Sequence, residues 1–111
     1  MRYRPITRNK EFSRAYARGK SFVHPKLVLY VVKNRLGHTR VGLTATKKVG
    51  CAVQRNRARR VIRAALYHTL PLDVGNYDLV FVARAQTARC KSTQVEEAAR
   101  LLLEKAGLVK Q

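Results

Sequence analysis

The sequence has few acidic residues and no long apolar run. Of its 111 residues, 6 are Asp or Glu and 24 are Lys or Arg, so the net charge is +18. No stretch of about 18 apolar residues is present, so we expect no membrane-spanning helix. The N-terminal residues also lack the apolar core of a signal peptide. Such an excess of positive charge costs stability through self-repulsion unless a polyanion is bound. Nucleic acid is the favoured partner, ahead of a membrane surface.

Cysteine is also scarce, and the two that occur, Cys51 and Cys90, form no CxxC motif. None of the three histidines stands at metal-ligand spacing from them. The pattern therefore indicates two reduced thiols in a cytoplasmic protein rather than a disulfide or a zinc site.

The shortage of carboxylates argues against catalysis by this chain alone. A hydrolase needs paired acids, a nucleophile beside a base, or a metal cluster. Glu11, Glu96 and Glu97 fall in the first turns of predicted helices, where they complement the helix dipole, and Asp73 falls in a predicted turn. No two carboxylates pair across a predicted cleft, so we expect no catalytic residue and no metal ligand.

Length and apolar content indicate one folded domain. A chain of 111 residues, 46 % of them apolar, is long enough to bury a core. The sequence shows no repeat, low-complexity run or long linker. We expect a single domain over residues 1–111, with flexible ends at 1–6 and 108–111.

The most informative stretch is a basic segment in the middle of the chain, which reads as a short loop feeding a helix. We divide the helix predicted over 53–69 into two sides at roughly 100° per residue. One side carries Ala58, Val61, Ile62, Ala65 and Leu66, and the other carries Asn56, Arg59, Arg60, Arg63 and Tyr67. No acid occurs between Lys47 and Tyr67, whereas a merely solvated face carries both signs.

Cations crowd the start of this helix, where the helix dipole is already positive. Lys47, Lys48, Arg55 and Arg57 lie there, and each such charge costs roughly 0.3–1 kcal/mol. An anion bound at the helix start removes that cost. Phosphates of a nucleic acid fit this role.

The other patterns predict two further helices and four strands. Residues 7–17 read as a helix capped by Thr7 and stopped by Gly19. The predicted strands cover 20–23, 27–32, 39–45 and 77–83. The last helix starts at a capping box over 93–96, and its buried stripe is Val95, Ala98, Ala99, Leu102 and Ala106.

These elements predict an α+β fold of order αβββαβα around a small sheet. The strand over 27–32 is apolar on both faces, so both sides of the sheet should be at least partly covered. The second and third strands, joined by a short turn around Gly37, are expected to form an antiparallel hairpin.

The basic segment resembles the signature of the bacterial ribonuclease P protein family. The matching residues are Lys47-Lys48-Val49-Gly50, Ala52-Val53 and Arg55-Asn56-Arg57-x-Arg59-Arg60-x-x-Arg63. Two further segments are similar to the same family, Glu11-Phe12-x-x-x-Tyr16-x-x-Gly19 and Tyr77-Asp78-Leu79-Val80-x-Val82-Ala83-Arg84. The departures are small: Cys51 replaces a polar or basic residue, and Ala64 stands where an acid is common.

The resemblance implies a single RNA-binding domain with a four-stranded mixed sheet and a left-handed βαβ crossover, although ~98 % of parallel crossovers are right-handed. It implies a cytoplasmic subunit that joins a catalytic RNA and assists endonucleolytic removal of the 5′ leader of precursor tRNA. The holoenzyme would require Mg²⁺, held mainly by the RNA, while the protein alone binds no cofactor. No membrane and no obligatory protein partner are implied.

The same resemblance assigns binding residues by position. The catalytic RNA would contact Lys47, Lys48, Arg55, Asn56, Arg57, Arg59, Arg60 and Arg63, and the leader would contact Phe12, Tyr16, Val28 and Tyr30. Aromatic platforms beside a positive groove do bind single strands. Core packing remains an alternative for Phe12 and Tyr30, and Tyr16 can face either way. Gly42, on the neighbouring strand, is expected to leave bare backbone for a nucleotide.

A general RNA-binding module of ribosomal or chaperone type, with no linked enzyme, is the alternative. The net charge of +18 suits both functions. The long central signature favours the ribonuclease P subunit.

Overall fold

The computed structural model describes residues 4–69 and 75–108, which form one sheet with helices on both faces. In chain order the elements are β1 (Arg4–Pro5), α1 (Asn9–Arg18), β2 (Lys20–His24), β3 (Leu27–Lys33), β4 (Arg40–Ala45), α2 (Ala52–Thr69), β5 (Tyr77–Ala83) and α3 (Ser92–Lys105). Short 3₁₀ turns, Lys47–Val49 and Thr87–Arg89, precede α2 and α3. All predicted helices and strands are present, and the sequence patterns do not predict the two-residue β1.

The strands lie in the order β1-β4-β5-β3-β2. β5 pairs with β4 in parallel and with β3 in antiparallel orientation. The predicted hairpin of β3 with β4 is therefore wrong, because β5 lies between them. Leu79, Val80 and Phe81 of β5 are fully buried, so this strand gains most from a central position. The antiparallel hairpin of the fold is β2–β3 instead.

Strands β4 and β5 with the intervening α2 form a parallel βαβ unit within a mixed sheet. The predicted α+β class, with four principal strands, is confirmed. The left hand of the crossover stays a prediction.

Helices α2 and α3 cover one face of the sheet and bury the main core. The buried residues are Leu27, Leu29, Val41, Leu79 and Phe81 from the sheet, Ala58, Ile62, Ala65 and Leu66 from α2, and Val95, Ala98, Ala99, Leu102 and Leu103 from α3. Fully burying one such large side chain contributes roughly 1.5–3 kcal/mol. This core fixes the helices on the sheet and leaves the opposite side of α2 facing outward.

Helix α1 covers part of the other face. Ile6, Ala15 and Val80 are buried under it, and Phe12, Tyr30, Val32 and Val82 are half-buried against them. Gly19 permits the close approach at its end, because a Cβ there would lie 2.4 Å from the Ala15 carbonyl oxygen and 3.0 Å from that of Val31. The helix leaves one end of this sheet face uncovered.

The predicted helix caps differ from the observed ones. Arg8, not Thr7, precedes α1, and its backbone N–H donates to Glu11 Oε1 at 3.3 Å. Helix α3 begins at Ser92, because the Lys91 N–H donates to Gln94 Oε1 at 2.9 Å. The capping box of α3 therefore spans 91–94 and not the predicted 93–96.

Two predictions concern the ends of helices and one concerns the ends of the chain. The predicted buried stripe of α3 is wrong at Ala106, which follows the end of the helix and is half-buried. Leu103, which the stripe did not include, is buried in the main core. The helix predicted over 53–69 corresponds to α2, Ala52–Thr69, whereas Asp73 of the predicted turn lies outside the described residues. Flexibility of 1–6 and 108–111 stays a prediction, although Ile6 is buried and its N–H donates to the Val41 carbonyl at 2.9 Å.

Candidate nucleic-acid interface

The outward face of α2 carries the predicted strip of polar and basic side chains. Asn56, Arg60, Arg63 and Tyr67 are exposed and Arg59 is half-buried. On the inward face, Ala58, Ile62, Ala65 and Leu66 are fully buried and Val61 packs against the core. The predicted two-sided character of this helix is confirmed.

A shallow groove of about 440 Å³ runs along this strip, lined by Val53, Asn56, Arg59, Arg60 and Arg63. Within it the Arg59 guanidinium donates to Asn56 Oδ1. That hydrogen bond orients one guanidinium without neutralising it, because the amide carries no charge. The groove therefore presents three arginines to a ligand with no acid among its lining residues.

The start of α2 is built by a glycine turn and a helix cap. Gly50 has φ +136°, a conformation that L side chains rarely adopt. Cys51 follows as the cap, and its N–H donates to Gln54 Oε1 at 3.0 Å. Hydrogen bonds from the first turn of the helix, Gln54 first and then Val53, lower the pKa of the exposed Cys51 thiol. Hydrogen-bond donors at a helix start that stabilise the anionic form of a thiol can also donate to a phosphate oxygen.

The predicted RNA-binding cations do not all lie on one side of α2. Lys47 and Lys48 are exposed before the helix and Arg55 is half-buried. Arg57 faces a separate groove of about 310 Å³ that it shares with Arg89 of the β5–α3 loop. Sequence reasoning missed Arg89, which comes near Arg57 only once β5 has returned beside β4.

On the opposite face of the sheet, the two predicted leader tyrosines meet. The rings of Tyr16 and Tyr30 have centroids 5.0 Å apart and planes at 78°, an edge-to-face pair. Tyr16 is 43 % exposed and Tyr30 is half-buried. Burial raises the pKa of the Tyr16 hydroxyl, while a hydrogen bond with Thr44 acts in the other direction. Tyr16 thus presents part of its ring beside α1.

An apolar row of the sheet continues beyond these rings. Strand register places Val23, Val28, Val82 and Thr44 side by side on the same face as Tyr30. Val23 is 59 % exposed, and the other three are half-buried. We call the space over this row and beside α1 the cleft. Of the four, sequence reasoning named only Val28, because the neighbours follow from the central position of β5.

Phe12 and Gly42 occupy the far end of the cleft, and here one expectation is wrong. A Cβ on Gly42 would lie 2.6 Å from the Phe12 ring and 3.2 Å from Ile6, and Gly42 is buried. Its backbone is therefore covered by a side chain and is not free for a nucleotide. Phe12 is half-buried and packs on this glycine, so its ring belongs partly to the core.

A charged network below α1 fixes the helix on the sheet. Arg40 donates to both carboxylate oxygens of Asp78, at 2.9 and 2.6 Å, and also to Glu11. Asn34 Nδ2 donates to Asp78 Oδ1 at 2.7 Å. Burial by itself raises the pKa of Asp78, but the hydrogen bonds from Arg40 and Asn34 outweigh it and leave that pKa lowered. The network therefore joins α1, β4 and β5.

The described residues place no metal-binding cluster in the protein. Across 4–69 and 75–108, no three His, Cys, Asp or Glu side chains lie close enough to hold an ion. Glu11 and Asp78 are both engaged by Arg40. Over the same residues, no helix is long and apolar enough to cross a membrane.

The fold and its arginine-lined helix define a small, strongly basic RNA-binding protein of the α+β class. The chain belongs to the ribonuclease P protein family, whose model matches residues 1–107. It is a subunit of a tRNA-processing endoribonuclease and has an RNA partner in that ribonucleoprotein.

Several ribonuclease P proteins align with this chain over most of their length. The chain is 42 % identical to a ribonuclease P protein component of Clostridium botulinum over 109 residues, covering 97 % of this chain and 98 % of the relative. One from Dehalococcoides mccartyi is 39 % identical over 104 residues, covering 94 % and 85 %. The RNase P protein of Staphylococcus aureus matches with a TM-score of 0.77 at 28 % identity, covering 96 % and 97 %.

Proposed function

We propose that the chain binds the catalytic RNA of bacterial ribonuclease P through α2 and receives the 5′ leader of precursor tRNA in the cleft. The single observation that carries this proposal is the position of the two surfaces on opposite sides of one sheet. α2 packs on one face through Ile62 and Leu66, whereas Tyr16 and Tyr30 meet on the other. One domain can therefore hold two RNA segments at once.

The contact with the catalytic RNA is electrostatic in this proposal. The strip of Arg59, Arg60 and Arg63, together with Lys47 and Lys48 at the helix start, would pair with phosphates. Each neutralised phosphate releases counterions, so binding should weaken steeply as salt increases. Guanidinium groups also hold phosphates by two parallel hydrogen bonds.

The contact with the leader combines stacking and apolar packing. A base would stack on the exposed part of Tyr16 or Tyr30, and the next would lie over the row that contains Val28 and Val82. Stacking on an aromatic side chain contributes roughly 1–3 kcal/mol per base and tolerates any sequence. A leader that varies between tRNAs requires this kind of contact.

The protein's part in the reaction would be to bind and orient, in the bacterial cytoplasm. Mg²⁺ and the cleavage chemistry belong to the RNA in this proposal, because Glu11 and Asp78, the carboxylates of the network below α1, are held by Arg40. By fixing the leader beside its catalytic partner, the chain lowers the entropic cost of placing the scissile phosphate.

Reconstitution tests the proposed function. The full chain is mixed with a bacterial ribonuclease P RNA at low Mg²⁺, and 5′ cleavage of precursor tRNA is followed with and without protein. We expect cleavage at the mature 5′ end to be restored by the protein. A general RNA-binding protein of similar charge is the control, and equal rescue by it would contradict the proposal.

A further inference from the structure

Helix α1 divides its sheet face into two parts, and the side away from the cleft is strongly basic. That flank of the helix carries Glu11, Arg14 and Arg18 and faces the β3–β4 loop. Together with Arg35 and Leu36 of that loop, these residues line an open groove of about 450 Å³. Arg14 is fixed there, because its guanidinium donates to the Lys33 carbonyl at 3.2 Å.

A second groove of about 540 Å³ lies near the same end of the sheet and reaches the face that α3 covers. Arg18 lines both grooves. The second adds Lys20 and Lys33 at its rim, and half-buried apolar side chains form its floor. We call the surface formed by the two grooves, which share Arg18, the basic trough. Arg14 and Arg35 line the first groove, Lys20 and Lys33 line the second, and the floor of the second is Phe22, Val31, Val32 and Tyr77.

The positive charge of the trough is not balanced by acids. Among the described residues that line the two grooves, Glu11 is the one carboxylate, and Arg40 already pairs with it. The exposed surface of α3 differs, because Glu97 lies there among Arg100 and Lys105. The trough therefore concentrates cations, whereas the exposed surface of α3 carries both signs.

The trough is also separate from the strip on α2. It lies where β3 ends and β5 begins, around Lys33 and Tyr77. α2 packs over β4 and β5, and α3 lies between α2 and the edge of the sheet formed by β3 and β2. The strip on α2 and the trough are therefore different surfaces.

We infer that the basic trough is a further RNA-binding site, which takes the phosphate backbone of a single-stranded segment. Cations along a groove with aromatic and apolar side chains at its base are the features that hold single strands without sequence preference. The inference rests on the proposed function, since the RNA is either the leader upstream of the nucleotides in the cleft or a strand of the catalytic RNA. Both sources present the same phosphates.

A charge-matched pair of double variants tests this site. Arg18→Gln/Arg35→Gln removes two cations of the trough, one of them in the last turn of α1. Lys91→Gln/Arg100→Gln removes two exposed cations, one before α3 and one on it, and neither residue lines the two grooves. The pair thus matches the loss of charge. Melting temperatures confirm that both variants fold.

Two binding measurements identify the RNA. Affinity of the full chain for catalytic RNA is measured from 50 to 200 mM salt, and the holoenzyme is then titrated with precursor tRNAs of increasing leader length. We expect the trough variant to lose affinity in one measurement and its log–log salt slope to fall by about 0.7–0.9 for each lost phosphate contact. Loss that appears only with long leaders assigns the trough to the leader, and loss with catalytic RNA alone assigns it to that RNA.

Equal affinities and slopes for the two double variants in both measurements would overturn the inference. The trough would then be assigned to an acidic protein partner instead of RNA. That failure is distinguishable from failure of the proposed function. In the latter case the unmodified chain itself would not bind catalytic RNA or restore cleavage.

Discussion

Substitution of Tyr30 tests whether this side chain binds the leader or only packs in the core. It is half-buried, pairs edge-to-face with Tyr16 and adjoins the uncovered row of the cleft. We expect Tyr30→Ala to reduce the preference of the holoenzyme for precursor over mature tRNA by the value of one stacked base, about 1–3 kcal/mol. Binding of catalytic RNA should be nearly unchanged. The affinities of both tRNAs and the melting temperature are the measurements.

Val80→Ala is the matched control, because Val80 is the register partner of Tyr30 on β5 and is fully buried in the cluster under α1. It should lower stability without changing the preference for precursor tRNA. If Tyr30→Ala behaves in the same way, Tyr30 is a core residue and the leader assignment is wrong.

Asp78 makes stability depend on pH. Its pKa is lowered because hydrogen bonds from Arg40 and Asn34 outweigh the effect of burial. A carboxylate whose pKa is lower in the folded state contributes stability above its unfolded pKa of about 3.9 and loses that contribution as pH falls through the folded value. We expect the free energy of unfolding to fall below about pH 4 for this reason. Urea titrations from pH 3 to 7 measure it.

Asp78→Asn should reduce that dependence and cost about 1–3 kcal/mol at neutral pH, because Arg40 loses its buried partner and keeps only Glu11. Glu97→Gln, on the exposed surface of α3, is the control and should change stability by less than about 0.5 kcal/mol. An unchanged acid dependence in Asp78→Asn would show that other carboxylates govern unfolding.

Sequence reasoning identified buried residues correctly where the helical period determines which side chains face the core. The buried side of α2, with Ala58, Ile62 and Leu66, follows from spacings of three and four. It failed at Gly42, because the Phe12 ring that covers it comes from 30 residues earlier in the chain. Tertiary contacts of this kind leave no periodic signal.

Among the elements, the strands were located correctly and paired incorrectly. A short turn between two β-forming runs predicts a hairpin, yet β5 enters between β3 and β4. The apolar run Leu79-Val80-Phe81 indicates a strand buried on both faces, and this is the signal that favours the central position. The cleft depends on that order, because Val82 joins Val28 to Thr44.

Helix α2 carries a prediction of its own. Arg59 and Arg63 line the same groove as Asn56, so we expect Arg59→Ala and Arg63→Ala each to weaken binding of catalytic RNA. Each lost phosphate contact should also flatten the log–log salt slope by about 0.7–0.9. Filter binding across a salt series measures both quantities.

Arg100→Ala provides the control for helix α2, because it removes the same charge from an exposed position on α3. It should change affinity only through net charge and leave the slope close to that of the unmodified chain. Identical effects of all three substitutions would argue that α2 acts through overall charge and not as a binding face.

At the scale of the whole molecule, a net charge of +18 on 111 residues opposes the compact state. Binding of a polyanion removes that repulsion and adds stability in proportion to its affinity and concentration. The same charge includes the strip on α2 and the basic trough at one end of the sheet. If the proposed function holds, this distribution lets the protein contact more than one RNA segment.

That arrangement leads to the expectation that the isolated chain does not cleave precursor tRNA at the mature 5′ end. Of its acids, Glu11 and Asp78 are paired with Arg40, and Glu96 and Glu97 lie on α3, which packs on the face opposite the cleft. General acid–base or two-metal hydrolysis requires carboxylates that converge on the phosphate. Nuclease-free protein is incubated with precursor tRNA and Mg²⁺, with and without catalytic RNA. We expect the 5′ product only when the RNA is present, and its appearance with protein alone would place catalytic groups in this chain.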